Sequence, residues 1–220
     1  KPLSISYFSS ISFNTGAISQ EKTFNVYGET TPPDNIGLDF DGINDFVSTS
    51  FDPSFNYNNG YTMEIWAKAV IPVTANYPIF TIANATMSDV EVYLQSGSNK
   101  LVVVHDRGEA TLGYREYPVP PNNQWFHLAI TYNGTTGMNV YYNGVLQTPL
   151  SNTITQSMTK TAGLSASIGH ISNTAFGASG ARFKGRLDDF RMWNVVKSGA
   201  DILAGMNSCL TGLENNLESY

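Results

Sequence analysis

Apolar and polar side chains alternate along several short segments of the chain. In segment 61–70, Met63 and Ile65 fall on one side, whereas Glu64 and Lys68 fall on the other. Comparable alternation occurs at 23–27, 90–94, 101–105, 125–132 and 138–142. A period of two predicts β-strands that turn one face towards a core and the other towards solvent or a second layer.

Turn-forming pairs separate these segments. Asn59-Gly60, Asn133-Gly134 and Asn143-Gly144 supply residues that adopt positive φ angles easily, as tight hairpins require. Many short strands joined by such turns, with almost no helical periodicity, predict an all-β sandwich or jelly roll.

One short helix is predicted near the end of the chain. Ser198 is a favourable N-cap and Asp201 lies three residues later, and an apolar stripe follows at Ile202, Leu203 and Met206. The pattern extends for about two turns.

The segment 30–34, Thr-Thr-Pro-Pro-Asp, is the predicted boundary within the chain, because two adjacent prolines break a strand ladder. Residues 1–35 then form an N-terminal extension with its linker, and residues 36–220 form the main domain. The extension is too small to fold alone. It either adds strands to the sandwich or is the remnant of a preceding domain. Because the chain begins at Lys1 without a Met and ends abruptly at Tyr220, we interpret it as a mature fragment or as a domain cut from a longer protein.

Composition narrows the classes of function. The chain has 220 residues, a net charge of −6 and only 14% charged residues. A nucleic-acid-binding domain carries a basic stripe, and a membrane helix needs about 20 apolar residues, and neither is present in the sequence. The single cysteine, Cys209, excludes an internal disulfide framework and a four-cysteine zinc site. A weakly charged surface rich in Thr, Asn and Tyr predicts an extracellular protein, secreted or at the cell surface.

Several motifs occur in an order typical of one fold family. Segments 37–47, 61–68 and 185–194 carry GLDFDGINDFV, YTMEIWAK and GRLDDFRMWN, with 125–134 and 141–144 between them. This order resembles the laminin-G-like, concanavalin A-like lectin/glucanase jelly roll, which includes pentraxin-like domains and is found in large bacterial surface proteins. The resemblance implies a two-sheet antiparallel sandwich with one short C-terminal helix. Residues 1–35 resemble, more weakly, part of an immunoglobulin-like module of such proteins.

Acidic residues concentrate in two of these motifs. Asp39, Asp41 and Asp45 share one short loop, and Asp188 and Asp189 lie late in the domain. Calcium takes six to eight oxygen ligands, which such residues and nearby carbonyls supply. By resemblance, a calcium ion would be held by two side chains and two backbone carbonyls, from Asp41 and Asp188 and from Gly42 and Asn44. The alternative is that the Asp, Asn and Gly residues only form turns.

Catalysis is not predicted. Glycoside hydrolases need two carboxylates that flank the scissile bond, and glucanases of this fold carry three acidic residues on one strand. The nearest run here is Asp89-Val90-Glu91, and Glu64 shares a strand face with Lys68. We interpret these groups as ordinary solvated charge on strand faces.

The charge-dense loop 106–120 is the predicted ligand-binding region, because binding residues favour loops on rigid scaffolds. Its side chains, with aromatic and imidazole groups of neighbouring strands, suit sugar stacking and hydrogen bonding. The predicted residues are Arg107, Tyr114, Arg115, Tyr117, Tyr77, Tyr93 and His105. The alternative for the aromatic residues is packing in the core or across strands, and the alternative for the charged loop is a solvated connector.

These patterns lead to one functional hypothesis and two alternatives. The hypothesis is a non-catalytic carbohydrate-binding or adhesion module of a multidomain protein, stabilised by calcium, whose ligand is a glycan or a cell-surface protein. The alternatives are a structural spacer without a ligand and a divergent polysaccharide-degrading enzyme.

Overall fold

The computed structural model describes residues 37–49, 57–84, 86, 88–107, 113–155, 157–158, 161, 163–171 and 181–220, with the backbone of 11–13. For residues 106 and 107 it describes the backbone only. The predicted boundary at 30–34 and most of the N-terminal extension lie outside the described residues.

The described residues form strands with one short α-helix and one 3-10 turn, Tyr57–Asn59. In chain order the elements are β1 (Ile11–Phe13), β2 (Leu38–Asp41), β3 (Val47–Thr49), β4 (Tyr61–Ala69), β5 (Tyr77–Ala83), β6 (Ser88–Leu94), β7 (Leu101–Arg107), β8 (Gly113–Tyr117), β9 (Phe126–Tyr132), β10 (Met138–Tyr142), β11 (Val145–Leu146), β12 (Ser151–Asn152), β13 (Ser165–Ile168), β14 (Lys184–Trp193), α1 (Gly199–Gly205) and β15 (Leu217–Ser219).

The strands form two antiparallel sheets. The first sheet has the order β1-β3-β13-β5-β6-β7-β8-β12. The second has the order β11-β10-β9-β4-β14-β15, and β2 also pairs with β14. This arrangement confirms the predicted all-β jelly-roll sandwich with one short C-terminal helix. Part of the N-terminal extension joins the first sheet, because Ile11 pairs with Thr49 of β3.

The inner faces of the two sheets enclose one core. Met63 and Ile65 of β4 are buried there, as the alternation in segment 61–70 predicts. Phe80 of the first sheet stacks on Phe190 of the second, with ring centroids 4.7 Å apart. Such an aromatic pair adds roughly 0.5–1.5 kcal/mol beyond the burial of its area, so it helps to fix one sheet on the other.

Two of the three predicted turn pairs connect neighbouring strands. Asn143 and Gly144 have φ angles of 50° and 75° and join β10 to β11, as a two-residue hairpin requires. Asn133-Gly134 begins the loop from β9 to β10, where the Asn133 side chain accepts a hydrogen bond from the Thr135 amide. Asn59-Gly60 makes no hairpin, because it ends the 3-10 turn and leads into β4.

The predicted helix is confirmed and packs on the outer face of the second sheet. The Ser198 hydroxyl accepts from the Asp201 amide, and the Asp201 carboxylate accepts from the Ser198 amide, which forms a capping box. Ile202 of α1 is buried against Ala129 of β9 and Tyr141 of β10. α1 has seven residues, and no helix in the described part of the chain has the length and apolar character of a membrane span.

A charged group lies beneath this C-terminal segment. The Glu64 carboxylate is fully buried, and its Oε1 accepts a hydrogen bond of 2.8 Å from Lys197 Nζ. His127 Nε2 lies 3.3 Å from Glu64 Oε2. The Lys197 ammonium also lies 4.0 Å from the ring centroid of Trp193, a cation–π contact. The interpretation of Glu64 as solvated strand-face charge is therefore wrong, because residues after β14 cover it.

The contacts with His127 and Lys197 outweigh the cost of burying this carboxylate. Burial alone raises the pKa of Glu64, but its contacts with His127 and Lys197 lower the pKa below the ordinary value. Glu64 is therefore ionised in the folded protein, and the C-terminal segment supplies part of the opposite charge.

Strand β14 contains a bulge that directs a second charged side chain to the same face. Asp188 pairs with Trp66 and Arg191 pairs with Glu64, so β14 uses one more residue than β4 between these positions. Asp189 has a φ of 49° at the bulge, and its Oδ1 accepts a hydrogen bond of 2.9 Å from Arg191 Nε. The bulge thus places Arg191 on the outer face, directly opposite Glu64.

Arg191 and Trp66 hold the chain that follows α1. Arg191 Nη1 donates to the Gly205 carbonyl at 2.9 Å, and Nη2 donates to the Ser208 carbonyl at 2.6 Å. Trp66 Nε1 donates to the Met206 carbonyl at 3.1 Å. Carbonyls at the end of the helix, which lack intrahelical partners, are satisfied in this way by the sheet.

We expect Glu64→Gln to lower the free energy of unfolding by about 3 kcal/mol, because removing one member of a buried ion pair leaves an uncompensated charge. The matched control is Glu116→Gln, which removes a partly exposed ion pair to Lys100 and should cost less than about 1 kcal/mol. Urea denaturation at pH 7 measures both.

The destabilisation caused by Glu64→Gln should also depend on pH. The pKa of Glu64 is lower in the folded protein than its ordinary value of 4.5. The contribution of Glu64 to the free energy of unfolding is therefore complete above pH 4.5 and is lost as the pH falls through the folded-state pKa. Equal costs for the two variants at pH 7, or a cost for Glu64→Gln that grows as the pH falls below 4.5, would contradict this account.

Candidate functional site

The outer face of the first sheet carries a row of side chains that crosses six neighbouring strands. Paired positions in an antiparallel ladder share a face, so the register identifies the members of the row. From β3 to β8 they are Ser48, Ser167, Thr81, Glu91, Val104 and Tyr114. This set is called the polar–aromatic row.

One end of the row is aromatic. Tyr93 of β6 and Val102 and Val104 of β7 form a small apolar cluster with Ile171, and the half-buried Tyr114 packs against it. This cluster is separate from the core, so the β6–β8 region has apolar side chains on both of its faces.

The other end of the row is polar. The hydroxyls of Thr81 and Ser167 lie 2.7 Å apart. Each also lies within hydrogen-bonding distance of the His170 carbonyl, at 3.0 Å and 3.2 Å respectively. These bonds fix the chain that leaves β13 against the sheet.

The predicted ligand-binding residues divide between this face and the core. Tyr93 and Tyr114 lie on the outer face, close to each other. Tyr77 and Tyr117 belong to the core between the sheets, and His105 contacts core residues. Tyr77 faces inwards although Thr81 faces outwards, because a register shift between Pro78 and Phe80 reverses the alternation along β5. Side chains buried in that position offer no surface to a ligand, and burial raises the pKa of Tyr117 despite the nearby guanidinium of Arg115.

His105 is a packing residue in this structure. Its Nε2 lies 2.9 Å from the Tyr61 hydroxyl, and its ring makes an edge contact with Tyr132 at 4.7 Å. Burial, and then the charge of Arg115, lowers the pKa of His105 to about 3. The imidazole is therefore neutral at physiological pH.

Arg115 closes the gap between the two sheets at one edge. Its Nε donates to Asn152 Oδ1 at 2.9 Å, its Nη2 donates to the Thr136 carbonyl at 2.9 Å, and its Nη1 donates to the Met138 carbonyl. Since all three nitrogens have acceptors within the protein, the guanidinium stabilises the fold. Arg107 ends β7, and its side chain lies outside the described residues.

The two carboxylates of the Asp89-Val90-Glu91 run are not solvated. Asp89 and Glu91 are each 1% exposed, so the interpretation of them as solvent-facing charge is wrong. Asp89 Oδ2 accepts a hydrogen bond of 3.0 Å from the Thr161 amide. Neither group has the solvent access that a carboxylate acting on a glycosidic bond requires.

The predicted calcium ligands come from two segments, and the pairing of these segments places Asp41 and Asp188 apart from each other. β2 lies beside β14 with Asp41 opposite Lys184. Asp188 lies four residues further along β14, or about 13 Å at the usual rise per strand residue. The four predicted ligands therefore do not surround one ion.

The loop at Asp41 is a hydrogen-bonded turn. Asp41 Oδ1 accepts from the amides of Ile43 and Asn44 at 2.7 Å and 3.4 Å, and Asp45 Oδ2 accepts from the Asp41 amide at 2.9 Å. Gly42 has a φ of 82°, where a side chain would be strained. Within the described residues, no three His, Cys, Asp or Glu side chains form a group that could hold a metal.

We propose that any calcium bound by the Asp41–Asp45 turn is held without Asp188. Calcium at about 100 times its Kd stabilises a protein by about 2.7 kcal/mol, which would raise the thermal midpoint by roughly 5–10 °C relative to chelator. We expect Asp41→Asn to abolish this shift and Asp188→Asn to preserve it. A shift that Asp188→Asn abolishes would contradict this geometry, and coincident melts in metal-free wild-type protein would refute calcium binding.

Sequence reasoning did not select Thr81, Ser167 and Ser48 of the polar–aromatic row. Their signal is a hydroxyl residue at an outward position between two inward-facing residues of a short strand. That parity is readable only once the strands are aligned across the sheet, because β3, β13 and β5 are far apart in the sequence.

Solved structures share this fold at low sequence identity. Domain 4 of an extracellular GH43 arabinanase from Geobacillus stearothermophilus, in complex with arabinotriose, has a TM-score of 0.58 and 18% identity, over 89% of this chain and 86% of that one. A candidate carbohydrate-binding protein of Bacteroides ovatus has a TM-score of 0.60 and 17% identity, over 82% of this chain.

The chain spans 50% of the Bacteroides protein. A structure of botulinum neurotoxin type C, whose cell entry depends on two ganglioside molecules, gives a TM-score of 0.51 and 16% identity over 74% of this chain and 40% of that one. No curated protein sequence matches the chain significantly.

A family model identifies the chain more directly than these structures. The model of the concanavalin A-like lectin/glucanases superfamily matches residues 41–203. The match extends from the end of β2 into α1 and so includes both sheets and the motifs at 61–68 and 185–194. The chain therefore belongs to the concanavalin A-like lectin/glucanase superfamily.

Proposed function

We propose that this domain is a non-catalytic carbohydrate-binding module that holds its ligand at the aromatic end of the polar–aromatic row. The observation that carries the proposal is the half-buried Tyr114, which packs against the buried Tyr93 on the outer face of the first sheet. Glu116 of the same strand as Tyr114 forms an ion pair of 2.9 Å with Lys100 beside them. Aromatic surface with a few fixed polar groups is the usual composition of a small-ligand site.

The outer face of the second sheet is less suitable for a ligand than the outer face of the first. Its outer side is covered by α1 and the residues around it, through Glu64, Arg191 and Ile202. A ligand there would have to displace a buried ion pair and a capped helix. The outer face of the first sheet needs no comparable displacement at Tyr114, which is half-buried.

Structural neighbours support carbohydrate as the ligand class. One was solved with arabinotriose, and another is a toxin whose cell entry depends on gangliosides. Their sequence identities are too low to select a sugar, so the screen should include arabino-oligosaccharides and ganglioside-type oligosaccharides together with other plant and bacterial glycans.

The buried state of the carboxylates supports a non-catalytic role. Glu64 is paired with Lys197, and Asp89 and Glu91 are almost completely buried. A glycosidase needs an acid and a second carboxylate on either side of an accessible sugar. These three groups do not provide that arrangement.

We further propose that the domain works outside the cell, as part of a larger secreted or cell-surface protein, and binds a glycan or a glycan-bearing cell-surface protein. The low fraction of charged residues, 14%, supports this setting, as does the fact that the chain spans half of the Bacteroides protein.

We expect Tyr114→Ala to weaken binding of the retained oligosaccharide roughly tenfold, or about 1.4 kcal/mol, because it removes an aromatic surface. Tyr114→Phe keeps that surface and should bind within about twofold of the parent protein. Affinity electrophoresis against the glycan panel identifies the ligand, and isothermal titration measures the variants.

Tyr220→Ala is the matched control, since Tyr220 is also a half-buried tyrosine but follows β15 of the second sheet. It should bind like the parent protein. If no glycan in the panel is retained, the spacer hypothesis replaces the lectin hypothesis. If Tyr220→Ala weakens binding and Tyr114→Ala does not, the ligand lies elsewhere.

A further inference from the structure

A second group of side chains lies at the polar end of the row. Phe46 precedes β3 and His170 follows β13, and these strands pair through Val47 and Ile168. The ring centroids of Phe46 and His170 are 4.9 Å apart. His170 forms an isolated β-bridge with Arg182, which brings a guanidinium to the same point.

Arg182 lies against the aromatic ring. Its Cζ is 5.1 Å from the centroid of Phe46, and its Nη1 donates to the adjacent Ala181 carbonyl at 3.1 Å. Its Nε is buried and has no hydrogen-bond partner within the described part of the chain. Partial burial lowers the pKa of Arg182, although a guanidinium remains charged at physiological pH.

The other arginine side chains that the structure describes have their acceptors within the protein. Arg191 pairs with Asp189, and Arg186 pairs with Asp39. Arg115 donates from three nitrogens to an amide oxygen and two carbonyls. Among the described residues, Arg182 alone combines a buried, unsatisfied nitrogen with the lack of a carboxylate partner. A guanidinium without a carboxylate partner in the described protein can form a charge-assisted pair with an acidic ligand.

Two neighbouring titratable groups do not act as charged partners of Arg182. His170 is neutral at pH 7, because burial and then the charge of Arg182 lower its pKa to about 4. The carboxylate of Asp45, which precedes Phe46, accepts a hydrogen bond from the Asp41 amide and so belongs to that turn. The His170 carbonyl bonds to Thr81 and Ser167, which anchors the group to the sheet.

We propose that Phe46, His170 and Arg182 form a subsite for the carboxylate of an acidic sugar, a uronic or a sialic acid. The Arg182 guanidinium pairs with the carboxylate through its terminal nitrogens, a planar donor geometry that favours carboxylates over neutral groups. The rings of Phe46 and His170 provide apolar surface for the sugar. The sugar part of this inference rests on the proposed function, whereas the recognition of a carboxylate does not.

The test compares matched acidic and neutral probes at low ionic strength, where charge-dependent binding is least screened. Trigalacturonate and sialyllactose are each measured against their methyl esters. The two pairs distinguish uronic from sialic acids. Isothermal titration gives affinities, and the Nε–H signal of Arg182 in a proton–nitrogen correlation spectrum, assigned by its loss in Arg182→Lys, reports on the site itself.

We expect one acidic probe to bind roughly tenfold more tightly than its neutral partner and to shift the Arg182 Nε–H signal. Arg182→Gln should abolish this preference, and Arg182→Lys should retain only part of it, because an ammonium lacks the planar pair of donors. Arg186→Gln, which removes a half-buried guanidinium on β14, is the control and should preserve the preference.

The results separate this inference from the proposed function. If neutral glycans bind through Tyr114, acidic probes show no preference and the Arg182 signal does not shift, the subsite is overturned. The proposed carbohydrate-binding function is then unaffected. Acidic binding that Arg182→Gln abolishes would support the subsite even if no neutral glycan binds. A preference that survives in Arg182→Gln, or the absence of binding by both acidic probes, would overturn the subsite.

Discussion

The ion pair between Glu64 and Lys197 determines how the two faces of the second sheet are used. Glu64 is completely buried on the outer face of β4, so its charge must be compensated within the protein. Lys197 supplies that compensation from the chain just before α1, at 2.8 Å. Because the lysine is part of the segment that leads into the helix, satisfying the carboxylate also brings α1 onto the sheet, where Arg191 holds the helix end.

This constraint closes the outer face of the second sheet, whereas the outer face of the first sheet keeps the half-buried Tyr114. The outer face of the second sheet carries α1, while the outer face of the first sheet carries the polar–aromatic row. The two ends of that row differ in chemistry: Tyr93 and Tyr114 lie at one end, and Phe46 and Arg182 lie near the other. The ends are separated by five strand spacings, or roughly 24 Å, which suits separate subsites on an extended ligand.

Local patterns were sufficient to predict much of the fold. The capping box at Ser198 depends on residues three positions apart, and the core-facing residues of β4 follow from simple alternation. The burial of Glu64 was not predictable in the same way, because its partner Lys197 lies 133 positions away. The bulge at Asp189 is indicated in the sequence only by a break in the alternation of apolar and polar residues between Leu187 and Phe190.

The candidate site was predicted less completely than the fold. In β7, Val102 and Val104 face outwards while Leu101 and Val103 face the core, so hydrophobicity alone does not identify the inner face. The same ambiguity explains why His105 and Tyr117 were expected on a ligand surface and lie in the core. Arg182 was missed because its significance depends on a stacking contact with Phe46, 136 positions earlier in the sequence.

The central claim is that the ligand occupies the outer face of the first sheet while the C-terminal segment closes the second. Amide hydrogen–deuterium exchange, measured with and without the retained oligosaccharide, tests this claim most directly. We expect the ligand to slow exchange in β7 and β8 and to leave α1 and residues 195–208 unchanged. Protection confined to α1 and to strands β9 and β10 of the second sheet, with none in β7 and β8, would contradict the account.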